Sequence, residues 1–287
     1  MVDLTGRYAL EITAKDFERL ESESVGIPTS IDVAITALPD EPLQPRLAAA
    51  RRVKELGLVP IPHLAARRIG SIQELDWFVD SFKREAAVDQ FFIIAGDVGH
   101  SSGPFMDALS IINSGILSKH GVKRIGIAGY PEGHPVISQD KLWQALISKG
   151  SALKGLNVPF EIVTQFSFDS DAVLAWLERL REAGVSAPVK IGIPGPASIK
   201  SLLRFASICG VNASSKVIAK YGFSLASLFR QAGPDALVKN LEDNYLSTSH
   251  GDISLHFYTF GGIGKTTDWV AAFRGRRSSS AAVGGTR

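Results

Sequence analysis

A single cysteine, Cys209, stands in the 287 residues. One thiol excludes an internal disulfide and any multi-cysteine metal site, and it fits a reducing cytoplasm. No apolar run reaches the roughly 20 residues that a membrane-spanning helix needs, and the N-terminal MVDLTGRYALEITAKD has no apolar core of a secretory signal. Charge of one sign is also missing: 31 basic against 29 acidic side chains leave +2, which gives no electrostatic footprint for nucleic acid. None of the histidines, at 63, 100, 120, 134, 250 and 256, forms a His-x-His pair, so a metal-dependent barrel hydrolase has no ligand motif here.

What is present is a globular composition, 45% hydrophobic and 21% charged. Short β-rich runs alternate with helical patterns. The strands are expected at Tyr8–Thr13, Ile31–Thr36, Val59–Leu64, Phe91–Asp97, Arg124–Tyr130, Phe160–Phe168, Val189–Ile193 and Ile253–Phe260. Helices are expected at Leu43–Leu56, from Ser71 to Glu85, Pro104–Leu117, Ser138–Lys154, from Asp169 or Ser170 to Gly184, through Ile208, about Ser214–Tyr245, and Lys265–Phe273. Eight strands separated by helices imply parallel pairing, and eight such units suit one closed (β/α)8 TIM barrel over residues 1–273 better than an open, doubly wound sheet, which counting alone leaves open. Residues 274–287, RGRRSSSAAVGGTR, hold no large apolar side chain and read as a disordered basic tail.

In such a barrel, function sits where strands end. The stretch Lys123–Val136, KRIGIAGYPEGHPV, ends an apolar run by presenting Tyr130, Glu132 and His134; alone, it is either a solvated turn or part of a site. Elsewhere the strand ends offer Glu11, Thr36, His63, Asp97, Gln165, His256 and Tyr258. Glu11 lies among Tyr8, Leu10 and Ile12, and burial is expected to raise its pKa toward that of a general acid. Gln165 offers a donor and an acceptor to a heterocycle edge. A rival reading, GGIGKTT at 261–267 as a phosphate loop, lacks the required first glycine, because Thr259 stands there; weak phosphate binding at this helix start stays open.

The segment AGYPEGHP at 128–135 resembles the flavin-binding segment of the methylenetetrahydrofolate reductase family. IPHL at 61–64, Gly96-Asp97, VTQFSFD at 163–169, IPG at 193–195 and HFYT at 256–259 follow in that family's order over most of residues 8–273. The resemblance implies an FAD-dependent reduction of 5,10-methylenetetrahydrofolate to 5-methyltetrahydrofolate in one-carbon metabolism, with NADH or NADPH as co-substrate and ping-pong hydride transfer. It implies Glu11 as the acid that protonates N10, Asp97 as an electrostatic partner of flavin and folate, and Gln165 as a contact to folate and nicotinamide. Thr36, His63, Gly96, Asp97, Tyr130 and His134 fall on flavin contacts, and Lys149 on a partner of the FAD phosphates. The family's arginine before Gly-Asp is here Ala95, a loss that the nearby Arg67 and Arg68 could offset. Ala95 motivates the alternative of a flavin-poor relative passing hydride directly from nicotinamide to folate; a barrel that binds folate or flavin without turnover is the other. The sequence leaves room for a homo-oligomer and does not separate NADH from NADPH.

Overall fold

The computed structural model describes residues 2–23, 27–39, 41–209 and 231–284, with position 17 and positions 277–284 described by backbone alone. Eight parallel strands close into a barrel: β1 (Tyr8–Ile12), β2 (Asp32–Ile35), β3 (Val59–Ala65), β4 (Gln90–Ile94), β5 (Arg124–Gly129), β6 (Phe160–Thr164), β7 (Val189–Pro194) and β8 (Ile253–Tyr258). Each pairs with its sequence neighbours and β8 closes on β1. The expected (β/α)8 architecture is the one observed. Pro60 and Pro62 do not disturb β3, because pairing with β4 begins only at His63. The absent N–H groups therefore cost no ladder bond on that side.

Strand alternation sorts the residues into two layers. Tyr8, Leu10 and Ile12, Val33 and Ile35, and Ile125 and Ile127 belong to the large cluster packed under the helices. Ile61, Phe92 and Val163, with Val59, Ile94 and Ala128 against them, form a separate apolar cluster. In register with it, Ala9 and Glu11 of β1 lie opposite His256 and Tyr258 of β8. Space is tight there: a Cβ on Gly126 would lie 2.9 Å from the Phe92 ring. At the opposite end, Lys190 Nζ reaches Asp32 Oδ2 at 2.6 Å and Glu161 Oε1 at 2.5 Å, an ion cluster joining β7, β2 and β6.

Several boundaries differ from the sequence reading. β4 stops at Ile94 and β6 at Thr164, so Asp97 and Gln165 stand in loops rather than in strands. The expected helix Pro104–Leu117 is two short helices, Ala108–Ile112 and Ile116–Lys119. Gly115 breaks it at φ 79°, a left-handed conformation that favours glycine. Ala197–Ser198 pairs antiparallel with Gln231–Ala232, a ribbon not foreseen. In the expected helix Ser214–Tyr245, residues 214–230 lie outside the described residues, and Asp235–Asn244 is helical. The last helix runs Ile263–Gly284 instead of stopping at Phe273; the Ala and Arg content of its end is compatible with helix.

Candidate active site

Glu11 is the centre of the barrel mouth. Its side chain is 13% exposed, and its Oε2 lies 3.2 Å from His256 Nε2 and 3.6 Å from His63 Nε2. Both rings are buried and braced edge-on, His63 by Phe92 and His256 by Tyr258. Arg46, itself buried against Phe78 and Phe82, donates to the His63 carbonyl. Thr259 Oγ1 donates to the Glu11 carbonyl at 2.7 Å, and the Tyr258 hydroxyl donates to the Thr164 carbonyl at 3.1 Å. Three strands thus hold one carboxylate in place.

The electrostatics correct the expectation for Glu11. Burial raises its pKa as the sequence implies, but the His256 hydrogen bond and the His63 and His256 charges outweigh it, and the net direction is down. His63 is pushed down to about 4 by burial, with the Glu11 charge only partly opposing. A neutral His63 contributes no charge near neutrality, which leaves the His256 hydrogen bond as the main hold on the ionised carboxylate. Burial also raises the Tyr258 phenol well above its usual range. The Cys209 thiol is raised to about 11 by burial, with the negative charges of Glu11 and Asp97 adding to it, so it stays protonated.

The depressed His63 carries a stability consequence. An unfolded histidine titrates near 6.5, so between about pH 6.5 and 4 the unfolded chain binds a proton that the native site refuses. Native stability therefore falls as pH falls through this window. We expect His63→Asn to remove about 1.4 kcal/mol of the stability difference between pH 7.5 and 5.5, read from urea midpoints. An unchanged pH slope in the variant would show that His63 is not the buried neutral group described.

A second group surrounds Asp97. Gly96 adopts φ 90° and turns the chain out of β4, leaving the Asp97 side chain 74% exposed. Arg68, from the turn after β3, donates to Asp97 Oδ1 and to the Ala37 carbonyl, and so bridges the loops after β2 and β4. Its neighbour Arg67 donates to the Met106 and Val98 carbonyls at 2.9 and 3.3 Å. A cation from the turn after β3 thus stands against Asp97.

The third group is the loop after β5. Gly133 N donates to the Tyr130 carbonyl at 3.2 Å, closing a turn that sets Tyr130 and His134 edge-on at 5.5 Å between centroids. Burial lowers the His134 pKa and raises that of Tyr130. Gln165 N donates to the Gly129 carbonyl, and its side-chain oxygen accepts from Phe166 N. Lys149 lies buried in the helix Gln139–Gly155, where burial pushes it down to about 8 against the charge of Asp107. It is not grouped with Glu11. Four buried atoms at these positions, Thr36 Oγ1, His63 Nε2, Arg68 Nε and His256 Nδ1, have no hydrogen-bond partner among the described residues. Buried unpaired polar atoms cost about 1–3 kcal/mol each.

The sequence reading placed His256 at a strand end and assigned it no role, and it did not pair Arg68 with Asp97. Both depend on contacts between distant strands. The open question at 261–267 is resolved locally: Gly264 N donates to Glu23 Oε2 at 2.9 Å, so the protein's own carboxylate occupies that helix start. Among the described residues, no group of three or more His, Cys, Asp or Glu could hold a metal ion. No described helix is long and apolar enough to cross a membrane.

Comparison with known proteins follows the same line. A family model described as methylenetetrahydrofolate reductase matches residues 12–266. The Arabidopsis thaliana protein named methylenetetrahydrofolate reductase (NADH) 1 is 29% identical over 210 residues, covering 66% of this chain and 33% of its own. Methylenetetrahydrofolate reductase 1 of Schizosaccharomyces pombe is 30% identical over 141 residues, 47% of this chain and 22% of its own. The chain thus matches a third or less of these relatives' length. A solved Clostridium thermocellum protein, described as binding two copies of 5-methyl-5,6,7,8-tetrahydrofolic acid, superposes with a TM-score of 0.60 at 11% identity. That match covers 93% of this chain and 95% of the other, and it shows the fold.

Proposed function

The chain belongs to the methylenetetrahydrofolate reductase family, and on that premise we propose that it reduces the methylene bridge of 5,10-methylenetetrahydrofolate to a methyl group with hydride from a reduced nicotinamide. The observation that carries this reading is the carboxylate of Glu11, held at the barrel mouth by His256, with the His63 ring 3.6 Å away. Glu11 delivers a proton to N10, the bond from N10 to the methylene carbon breaks, and the resulting iminium carbon accepts the hydride. Folate covering the mouth removes water from the exposed edge of Glu11, which favours its neutral, proton-carrying form. Gln165 and Asp97 are the polar contacts for the pterin. Arg68 fixes Asp97 in the role that an arginine at position 95 would otherwise fill. NADH is the first co-substrate to test, given the name of the Arabidopsis relative.

The route of the hydride is a separate matter. An FAD needs an open flat cradle and groups for two phosphates, either cations or backbone N–H groups at a helix start. His63 is 5% exposed and faces Glu11, and Lys149 is 9% exposed within its helix packing. Arg67 and Arg68 are engaged by backbone carbonyls and by Asp97. These residues do not fit the diphosphate half of FAD, and direct transfer from nicotinamide to folate is the favoured route. The unpaired Thr36 Oγ1 and the edge-on Tyr130–His134 pair favour transfer through FAD as a second reading.

Steady-state kinetics with purified protein separate these routes. Direct transfer needs both substrates bound together, so double-reciprocal lines should intersect and the protein should be colourless. Parallel lines and a flavin band that NADH bleaches before folate is added would establish the FAD route. No folate-dependent oxidation of NADH or NADPH would sink the reductase reading itself.

A further inference from the structure

Glu132 lies between Tyr130 and His134, yet the carboxylate is engaged by the neighbouring loop. Its Oε1 accepts from Ser167 Oγ at 2.5 Å and from Phe168 N at 3.2 Å. Ser167 is fully buried, and its N–H is held by the Gly192 carbonyl of β7 at 3.1 Å. Ser167 Oγ also accepts from Asp169 N at 2.9 Å, and Asp169 caps the helix Ser170–Glu182 through Asp171 N and Ala172 N. The carboxylate is therefore attached to framework. At the other end of the same loop, Gln165 N donates to the Gly129 carbonyl at 2.9 Å. Residues 129–134 and 165–169 are laced at both ends.

We propose that Glu132 is a positioning residue that fixes the Tyr130–His134 wall and Gln165 at one spacing, so that nicotinamide and folate meet in a single geometry. This rests on the reductase reading above. Among the described residues, no side-chain hydrogen bond ties Tyr130 or His134 to the framework: the Val136 N to His134 Nδ1 bond, at 3.3 Å, stays within the loop. A carboxylate accepting two donors makes charge-assisted bonds, the stronger class. Small displacements of bound reactants reduce rates steeply, so a loose wall would lower turnover without touching the acid.

The experiment compares Glu132→Ala, Glu132→Gln and Ser167→Ala. An amide oxygen can accept from both donors, whereas alanine cannot. Glu132→Ala is expected to lower kcat/KM roughly ten- to a hundredfold, with KM rising for both substrates. Glu132→Gln should restore most of that loss, and Ser167→Ala should reproduce part of it. Hydrogen exchange at the Phe168 amide and across residues 130–134 is the second readout. It should accelerate in Glu132→Ala and stay near wild type in Glu132→Gln. Wild-type kinetics in Glu132→Ala, equal losses in the Ala and Gln variants, or unchanged exchange would each overturn the proposal. If the wild type fails to reduce folate, accelerated exchange would still uphold the tie while the reductase reading falls.

Discussion

Glu11→Gln is expected to leave the fold and folate affinity largely intact while lowering kcat by roughly two to four orders of magnitude, the usual contribution of a positioned acid. Glutamine has the same shape, and its amide oxygen can still accept from His256 Nε2, which sits 3.2 Å away. It cannot deliver a proton to N10, so the imidazolidine ring stays closed and no iminium forms. The pH profile gives the sign. Glu11 is shifted down, so the protonated acid is the minor form in the free protein near neutrality. The kcat/KM of the wild type should therefore rise about tenfold per unit as pH falls toward the Glu11 range. That limb should be absent in the variant. Stopped-flow or steady-state assays across pH with folate binding measured separately check both claims; turnover within a few-fold of wild type would remove Glu11 from the acid role.

Lys190→Met is expected to produce the largest loss of stability, about 3–5 kcal/mol. The ammonium stands between Asp32 and Glu161, with side chains 19% and 8% exposed. Removing it leaves two carboxylates facing each other, with Arg124, 3.9 Å from Glu161, as the one remaining ion-pair cation among the described residues. A loss of that size is a large part of a typical folding free energy. Replacing all three together, Lys190→Met with Asp32→Asn and Glu161→Gln, should recover much of the stability at neutral pH. Urea midpoints of the single and triple variants at pH 7.5 test this, and a Lys190→Met midpoint equal to wild type would show that the cluster is solvated rather than buried. Glu11 lies in the C-terminal half of β1, two residues beyond the Ala9–Asp32 pairing, so kcat/KM per folded molecule should be unchanged.

Residue order indicated eight parallel strands, and the pairing of β8 with β1 closed them into a barrel. Apolar runs such as FFII in β4 and the VKIGI of β7 are short, bounded by turn residues and separated by helical periods, and that pattern admits little but parallel strands with crossover helices. The same order placed Glu11, Thr36, His63, Asp97, Tyr130 and Gln165 near strand ends, and AGYPEGHP carried the family. Helix breaks were less legible, because Gly115 interrupts a segment whose apolar spacing is otherwise helical. Tertiary structure alone decided the chemistry at those positions. The partner that turns the Glu11 shift downward is 245 residues away in sequence, brought beside it only when β8 closes on β1. Burial is a local property that apolar neighbours announce. The sign of a pKa shift is a balance between burial and specific partners, and partners across a closed barrel leave no local trace. Likewise Arg68 reaches Asp97 across β3 and β4, and Glu132 is tied to Ser167 rather than turned to water. The stretch around Tyr130 could be read as a site from its sequence; that its carboxylate holds two loops together is a property of the fold.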